Sequence, residues 1–145
     1  MSEDLYADPE VCQAILMDYY RHPRCAGTCE AATHAAEARN PACGDLVVLS
    51  FAVAGGQIES ARARGAGCAL SQASASLLAE HLEGKSLAQA RQVLQALGAL
   101  LEGRAAGGEH LGQLAALRLM AGNPVRARCA AVAREAAAAA LGGLI

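Results

Sequence analysis

The sequence predicts an α+β fold: a small antiparallel β-sheet of about three strands packed against several α-helices. Two observations carry this. The β-rich apolar runs lie in the first half and bracket Gly55-Gly56, a hairpin signal, whereas the second half shows only helical spacing. Strands and helices do not alternate, so the layers should be segregated rather than wound as βαβ units. The 145 residues suit one domain, 1–145, and neither a linker nor a long repeat divides them.

Taken in order, Asp8-Pro9-Glu10 is a helix start: a capping Asp, Pro at the first position and an acid in the first turn. Val11, Ala14, Ile15 and Tyr19 then share a face, and the helix should end near Arg21 because His22 precedes Pro23. A weak strand is expected around Thr33–Ala38. Asn40-Pro41 and Gly44-Asp45 mark tight turns. Leu46–Val53 reads as a strand. Gln57–Arg64 alternates poorly and reads as its hairpin partner from position.

Gly65-Ala66-Gly67-Cys68 is a loop. Leu70, Ala73, Leu77 and His81 then have helical spacing up to Gly84. Ser86 caps a helix carrying Leu87, Ala90, Leu94, Leu97 and Leu101 on one face. Gly103–Gly108 reads as a flexible Gly/Ala loop, Leu111–Met120 as a short helix, and Asn123-Pro124 as its break. The last helix is expected from about Arg126 to Leu141, with Cys129, Val132, Ala133 and Ala136 on one face.

Composition narrows the function classes. The chain is 54% hydrophobic but only 3% aromatic with no Trp, so its core must be aliphatic and Ala-rich. A net charge of −2 and the lack of a Lys/Arg stripe leave no electrostatic footprint for nucleic acid. The acidic start Met1-Ser2-Glu3-Asp4 lacks the features of a signal peptide, and no apolar stretch reaches ~18 residues, so neither secretion nor a membrane span is expected. The expected compartment is the cytoplasm. There, six cysteines point to metal or sulfur chemistry rather than disulfides.

Three cysteines sit in special settings. Cys43 lies in the turn Asn40-Pro41-Ala42-Cys43-Gly44-Asp45, which can aim Cys43 and Asp45 at one ion. Cys68 immediately precedes a helix, whose free N–H groups and dipole favour thiolate. If the chain between them forms a hairpin, it returns to the same sheet end and the two sulfurs meet. Cys129 opens the last helix, and Arg126, three residues earlier, shares its face, where a guanidinium would stabilise thiolate. Three thiolates and a carboxylate form a tetrahedral zinc set, and the same soft donors suit iron–sulfur clusters. Spacing alone leaves Cys129 readable as a core thiol and Cys68 as a helix-entry residue, since no Cys-x-x-Cys pair is present. Cys12, Cys25 and Cys29 read as structural or incidental.

These motifs resemble a known family. Asn-Pro-Ala-Cys-Gly-Asp at 40–45, Gly-Ala-Gly-Cys-Ala-Leu-Ser-Gln-Ala-Ser-Ala-Ser at 65–76 and Pro-Val-Arg-Ala-Arg-Cys-Ala at 124–130 look like the three cysteine motifs of the IscU/SufU/NifU N-terminal family of iron–sulfur cluster assembly proteins. Order and spacing match from Tyr20-Arg21-His22-Pro23-Arg24 to the final helix. IscU-type scaffolds carry His before the third Cys, where this chain has Arg128, and a Leu-Pro-Pro-Val-Lys motif that Asn123-Pro124-Val125-Arg126 does not match. The long interval from Cys68 to Cys129 and the Arg-x-(Lys/Arg)-Cys-Ala ending resemble SufU-type proteins. Cys25, where the family commonly has Asn, and the Ala-rich segment 28–38 depart from the pattern without touching the proposed site.

The resemblance implies a SufE/NifU-like fold and a zinc site of Cys43, Asp45, Cys68 and Cys129. It implies a zinc-dependent sulfurtransferase whose partner is a cysteine desulfurase of the SufS type, a PLP enzyme, with downstream Suf assembly proteins after it. In that reading zinc is structural until the partner docks, a desulfurase His replaces one Cys ligand, and the freed thiolate accepts persulfide sulfur. By position the acceptor is Cys43, assisted by Arg126. The alternative is an IscU-like scaffold holding a transient [2Fe–2S] cluster on Cys43, Cys68 and Cys129. His22 reads as a turn residue or partner contact, and His34, His81 and His110 lack metal-ligand spacing. Gly84-Lys85-Ser86 is not a phosphate-binding loop, because Ala79 stands where the upstream glycine belongs.

Overall fold

The computed structural model describes residues 5–104 and 110–145. Helix α1 (Pro9–Arg21) leads to strands β1 (His34–Asn40), β2 (Asp45–Ala54) and β3 (Gln57–Ala66). Helices α2 (Ala69–Leu82) and α3 (Leu87–Leu101), a 3-10 helix (Gly112–Met120) and helix α4 (Pro124–Leu141) follow. The strands form one antiparallel sheet in the order β1-β2-β3. The fold is therefore α+β, as the sequence predicts. Most of the expected Gly103–Gly108 loop lies outside the described residues.

Val47, Leu49 and Phe51 alternate onto the inner face of β2 and are fully buried. Helices α2 and α4 supply much of the opposing layer, through Leu77, Leu78, Leu82, Val132, Ala133 and Ala136. Leu94, Leu97 and Leu100 of α3, with Leu114 and Leu117 of the 3-10 helix, complete one continuous core. Small side chains let helices approach closely: at Gly98 an added Cβ would lie 2.9 Å from Nε of Arg134, which donates to the Leu94 carbonyl at 2.6 Å.

The capping chemistry places the helix starts. Asp8 accepts from Glu10 N–H, and Ser86 and Gln89 form a reciprocal capping box. Asn123 accepts from the N–H groups of Val125 and Arg126, and Pro124 is the first residue of α4. Asn123-Pro124 is thus a helix start as well as a break, and α4 begins two residues before the expected Arg126. Cys129 consequently sits in its second turn rather than its first.

Three further expectations shift. In α1 the buried stripe is Cys12, Leu16 and Tyr19, one residue from the expected Val11-Ala14-Ile15 set, so Cys12 is a core thiol. The Leu111–Met120 helix is a 3-10 helix over Gly112–Met120. The poor alternation of β3 has a structural cause: Ala52 pairs Ser60 and Val53 pairs Ile58, leaving Glu59 as a bulge. The extra residue resets the phase, so Ile58, Ala61 and Ala63 all face inward.

Sheet register fixes where the cysteine motifs go. Asn40 pairs with Asp45 and Leu46 with Ala66, so the β1–β2 turn and the exit from β3 share one end of the sheet.

Candidate metal centre

That shared end collects the motifs. The β1–β2 turn is closed by the Cys43 N–H donating to the Asn40 carbonyl at 3.1 Å, with Gly44 at φ +72° completing the reversal. Cys43 is exposed at its tip, while Asp45, the first residue of β2, is 2% exposed. Cys129 reaches the same point from α4 and is 5% exposed. A cluster of two sulfurs and a carboxylate oxygen results: one ligand atom from each of Cys43, Asp45 and Cys129 lies within 4.8 Å of the others.

Cys68 stands beside this group. Its side chain caps α2, with Sγ accepting from Ser71 N–H at 3.4 Å. Its own backbone N–H donates to Asp45 Oδ1 at 2.9 Å, and its thiol interacts with both Asp45 and Cys129. The helix-entry role and the place beside the other donors therefore coexist in one residue. Gly67 makes the approach geometrically feasible. Its φ is +123°, and a Cβ there would lie 2.4 Å from Asp45 Oδ1 and 2.7 Å from Asp45 Cα.

Charge is distributed unevenly. Burial works against ionisation of Asp45, but the Cys68 backbone N–H donates to the carboxylate, and the polar side chains of Cys129, Cys68 and Ser71 beside it also favour its charged form, so its pKa is held below the ordinary 3.8. Burial pushes the Cys129 thiol pKa well above the ordinary 9.0, and interactions with Cys43, Asp45 and Cys68 push the same way. Arg126, expected to favour a Cys129 thiolate, is not among the groups that shift this thiol. Arg126 is exposed at the rim, and its guanidinium pairs with no other described side chain. Burial of the sulfur dominates, followed by its neighbour Cys43 and then the adjacent carboxylate.

The donor set fits a zinc ion. Cys43 and Cys129 sulfurs are 3.6 Å apart, close to the ~3.7 Å edge of a tetrahedron built on Zn–S bonds of about 2.3 Å. A cation would also remove the conflict between a buried carboxylate and a thiol that resists ionisation.

An apolar cavity of about 390 Å³ opens beside the centre, with Cys68 and Cys129 in its wall. Leu16, Met17 and Tyr20 of α1, Leu70 of α2 and Met120 line it, and Arg126 is its one charged lining residue among the described residues. Cys43 does not line it; that thiol is reached from the turn side.

The remaining cysteines lie elsewhere. Cys12 Sγ donates to the Tyr6 carbonyl at 3.3 Å, and Cys29 Sγ to the Ser50 carbonyl at 3.3 Å. Cys25 takes φ +57° and its carbonyl accepts from Ala63 N–H at 2.7 Å. All six thiols are free, and among the described residues none of these three joins a metal-competent group. Asn40 is the residue the sequence reading missed. It was legible only as half of an Asn-Pro turn signal, yet its side chain is 4% exposed against Asp45 and Cys129.

The family model described as the NifU-like N terminal domain matches residues 12–143. The chain belongs to that family. Among curated relatives it is 29% identical over 84% of its length, and 83% of the relative's, to the zinc-dependent sulfurtransferase SufU of Bacillus subtilis. It is 37% identical to the iron–sulfur cluster assembly scaffold protein IscU of Thermotoga maritima over a shorter stretch, 48% of this chain and 49% of that one. Among solved structures it is similar to a putative iron–sulfur cluster assembly scaffold protein for the SUF system from Fervidobacterium islandicum. That likeness has a TM-score of 0.79 and 28% identity, and covers 88% of this chain and 93% of the other. The resemblance read from the three cysteine motifs thus stands, and the three-stranded sheet with its helical layer is the fold of these family members.

Proposed function

We propose that this protein is a SufU-like, zinc-dependent sulfurtransferase of iron–sulfur cluster assembly, taking persulfide sulfur from a SufS-type cysteine desulfurase. The observation that carries the reading is the convergence of Cys43, Asp45 and Cys129 with Cys68 alongside, in a family member similar to SufU over most of its length. Zinc would be held by Cys43, Asp45, Cys68 and Cys129, where it supplies charge that keeps the sulfurs deprotonated at neutral pH.

The residues divide the work by exposure. Cys129 is buried beneath the centre and Asp45 is locked by the Cys68 N–H, so both suit retention of a metal. Cys43 is exposed on a turn and is the thiol that a large partner can approach. In the transfer, the Cys43 thiolate attacks the outer sulfur of the desulfurase persulfide. An S–S bond forms on Cys43, the S–S bond on the desulfurase breaks, and the desulfurase cysteine leaves as thiolate. Arg126, beside Cys129 at the rim, assists by its positive charge near the incoming persulfide. PLP remains on the partner, and Suf assembly proteins take the sulfur onward. Six free thiols suit a reducing cytoplasm.

The second reading, a scaffold carrying a [2Fe–2S] cluster as cargo on Cys43, Cys68 and Cys129, draws on the same soft donors and on the IscU relatives. Arg128 favours sulfur transfer: it stands where IscU-type scaffolds carry His, and it is exposed.

Desulfurase turnover tests the proposal. Wild-type protein should stimulate cysteine desulfuration by a SufS-type enzyme, and Cys43→Ala should not. No stimulation by the wild type sinks the sulfurtransferase reading, and equal stimulation by Cys43→Ala removes Cys43 as acceptor.

A further inference from the structure

The centre contains a buried amide that the ligand set does not explain. Asn40 closes β1, and two of its groups bear on three of the candidate ligands. Its carbonyl accepts from Cys43 N–H at 3.1 Å. Its Nδ2 faces Asp45 Oδ2 at 3.5 Å and Cys129 Sγ at 3.8 Å. One residue thereby touches Cys43 through the backbone and Asp45 and Cys129 through the side chain, tying the sheet end to α4 across a large sequence separation.

The amide is held at a cost. Asn40 Oδ1 is buried without a hydrogen-bond partner among the described residues. An apolar side chain of the same size would not carry that unpaired acceptor. What such a side chain would lack is the N–H pair aimed at one carboxylate and one sulfur. Those are two of the three donors whose ligand atoms lie within 4.8 Å of one another.

We propose that Asn40 is a positioning residue for the metal centre: its amide donates to the Cys129 thiolate and the Asp45 carboxylate, fixing both for the ion. The proposal rests on the zinc reading above and extends it to a residue outside the ligand set. The Nδ2 contacts, 3.5 Å to the carboxylate and 3.8 Å to the sulfur, are long for hydrogen bonds, and those to a thiolate and a carboxylate shorten when charge-assisted. An N–H donated to a ligand sulfur also lowers the energy of its lone pair, which sets the electronic signature of the bound metal.

The test uses the full-length chain, zinc-free and then loaded with zinc or cobalt(II). Asn40→Leu keeps the volume and removes the donors. Zinc affinity, measured against a chromophoric chelator, is expected to fall about ten- to a hundredfold, the usual effect of removing a hydrogen bond to a ligand. In the cobalt-substituted protein the sulfur-to-metal charge-transfer band is expected to move to longer wavelength, a change that loss of packing alone would not produce. Zinc-free Asn40→Leu should melt in one cooperative transition. If it does not fold, Asn40→Asp, which keeps the shape and replaces N–H by an acceptor, carries the same two measurements.

Unchanged affinity with an unchanged cobalt band in a folded variant overturns the role of Asn40 and leaves the zinc reading intact. A wild-type chain that takes up no stoichiometric zinc overturns both.

Discussion

Replacing Gly67 by Ala probes the joint between the two halves of the centre. At φ +123° the backbone of residue 67 lies where side chains are strained, at a cost of about 1–3 kcal/mol. The new Cβ would also meet Asp45 at 2.4 Å from Oδ1 and 2.7 Å from Cα, so Asp45 must move. That movement weakens its 2.9 Å hydrogen bond from Cys68 N–H, a bond to a charged acceptor worth about 1.5–3 kcal/mol. Together these lower the stability of the zinc-free protein by about 2.5–6 kcal/mol, or roughly 10–24 °C in the melting midpoint for a chain this size.

Gly84→Ala is the comparator. Its φ of +87° is also strained, but nothing lies within 4 Å of the added Cβ, so only the backbone cost of about 1–2 kcal/mol applies. Thermal melting of both zinc-free variants, followed by zinc competition, separates the effects. Gly67→Ala should lose both stability and zinc affinity, and Gly84→Ala should lose only a little stability. Equal melting shifts in the two variants, with zinc affinity unchanged in Gly67→Ala, would refute the argument that Gly67 seats Asp45.

Other consequences are independent of that one. Cys43 and Cys129 sulfurs 3.6 Å apart should close into a disulfide when zinc-free protein meets hydrogen peroxide, which is reduced to water as the two thiols lose their hydrogens; peptide mapping should find Cys43 joined to Cys129, and bound zinc should prevent it. The Asp45 pKa is lower folded than unfolded, so its contribution to zinc-free stability is present above its ordinary 3.8 and is lost as pH falls through the folded value; acid unfolding of Asp45→Asn should lack that component. The Cys129 pKa is higher folded than unfolded, so zinc-free stability should decline as pH rises past about 9 toward the folded value, and Cys129→Ala should flatten that alkaline limb. Tyr19, whose hydroxyl meets Glu80 and Gln113 and whose pKa burial pushes up to about 12, ties α1 to α2 and the 3-10 helix; Tyr19→Phe should cost about 1–2 kcal/mol in urea unfolding.

How much of this was legible in the sequence depended on whether the signal was local. Asp8-Pro9 and Ser86 announce helix starts because capping is decided within a few residues, and the Gly55-Gly56 hairpin is equally local. Asn123-Pro124 carries the same start chemistry as Asp8-Pro9, but a preceding apolar segment made it read as a stop. The bulge at Glu59 hid the inward face of β3, since alternation fails wherever one residue is left over. The cysteine motifs were visible as three separate settings, and the hairpin supplied the reason that Cys68 returns to the sheet end carrying Cys43 and Asp45, although among the described residues the donor atoms within 4.8 Å of one another are those of Cys43, Asp45 and Cys129. Asn40 had no comparable signal: its role depends on α4 bringing Cys129 across to the end of β1, a contact that no local pattern encodes. The burial of Cys129, which raises its thiol pKa, depends on the same distant elements, whereas Arg126 was visible only as a charge three residues away.

The central claim is that a zinc-holding centre presents Cys43 as the sulfur acceptor. It is tested most directly by mass spectrometry after incubation of the zinc-loaded protein with a SufS-type desulfurase and cysteine. The peptide containing Cys43 should gain one sulfur atom, and those containing Cys12, Cys25 or Cys29 none. A chain that gains no sulfur, or gains it only on those three structural cysteines, would contradict it.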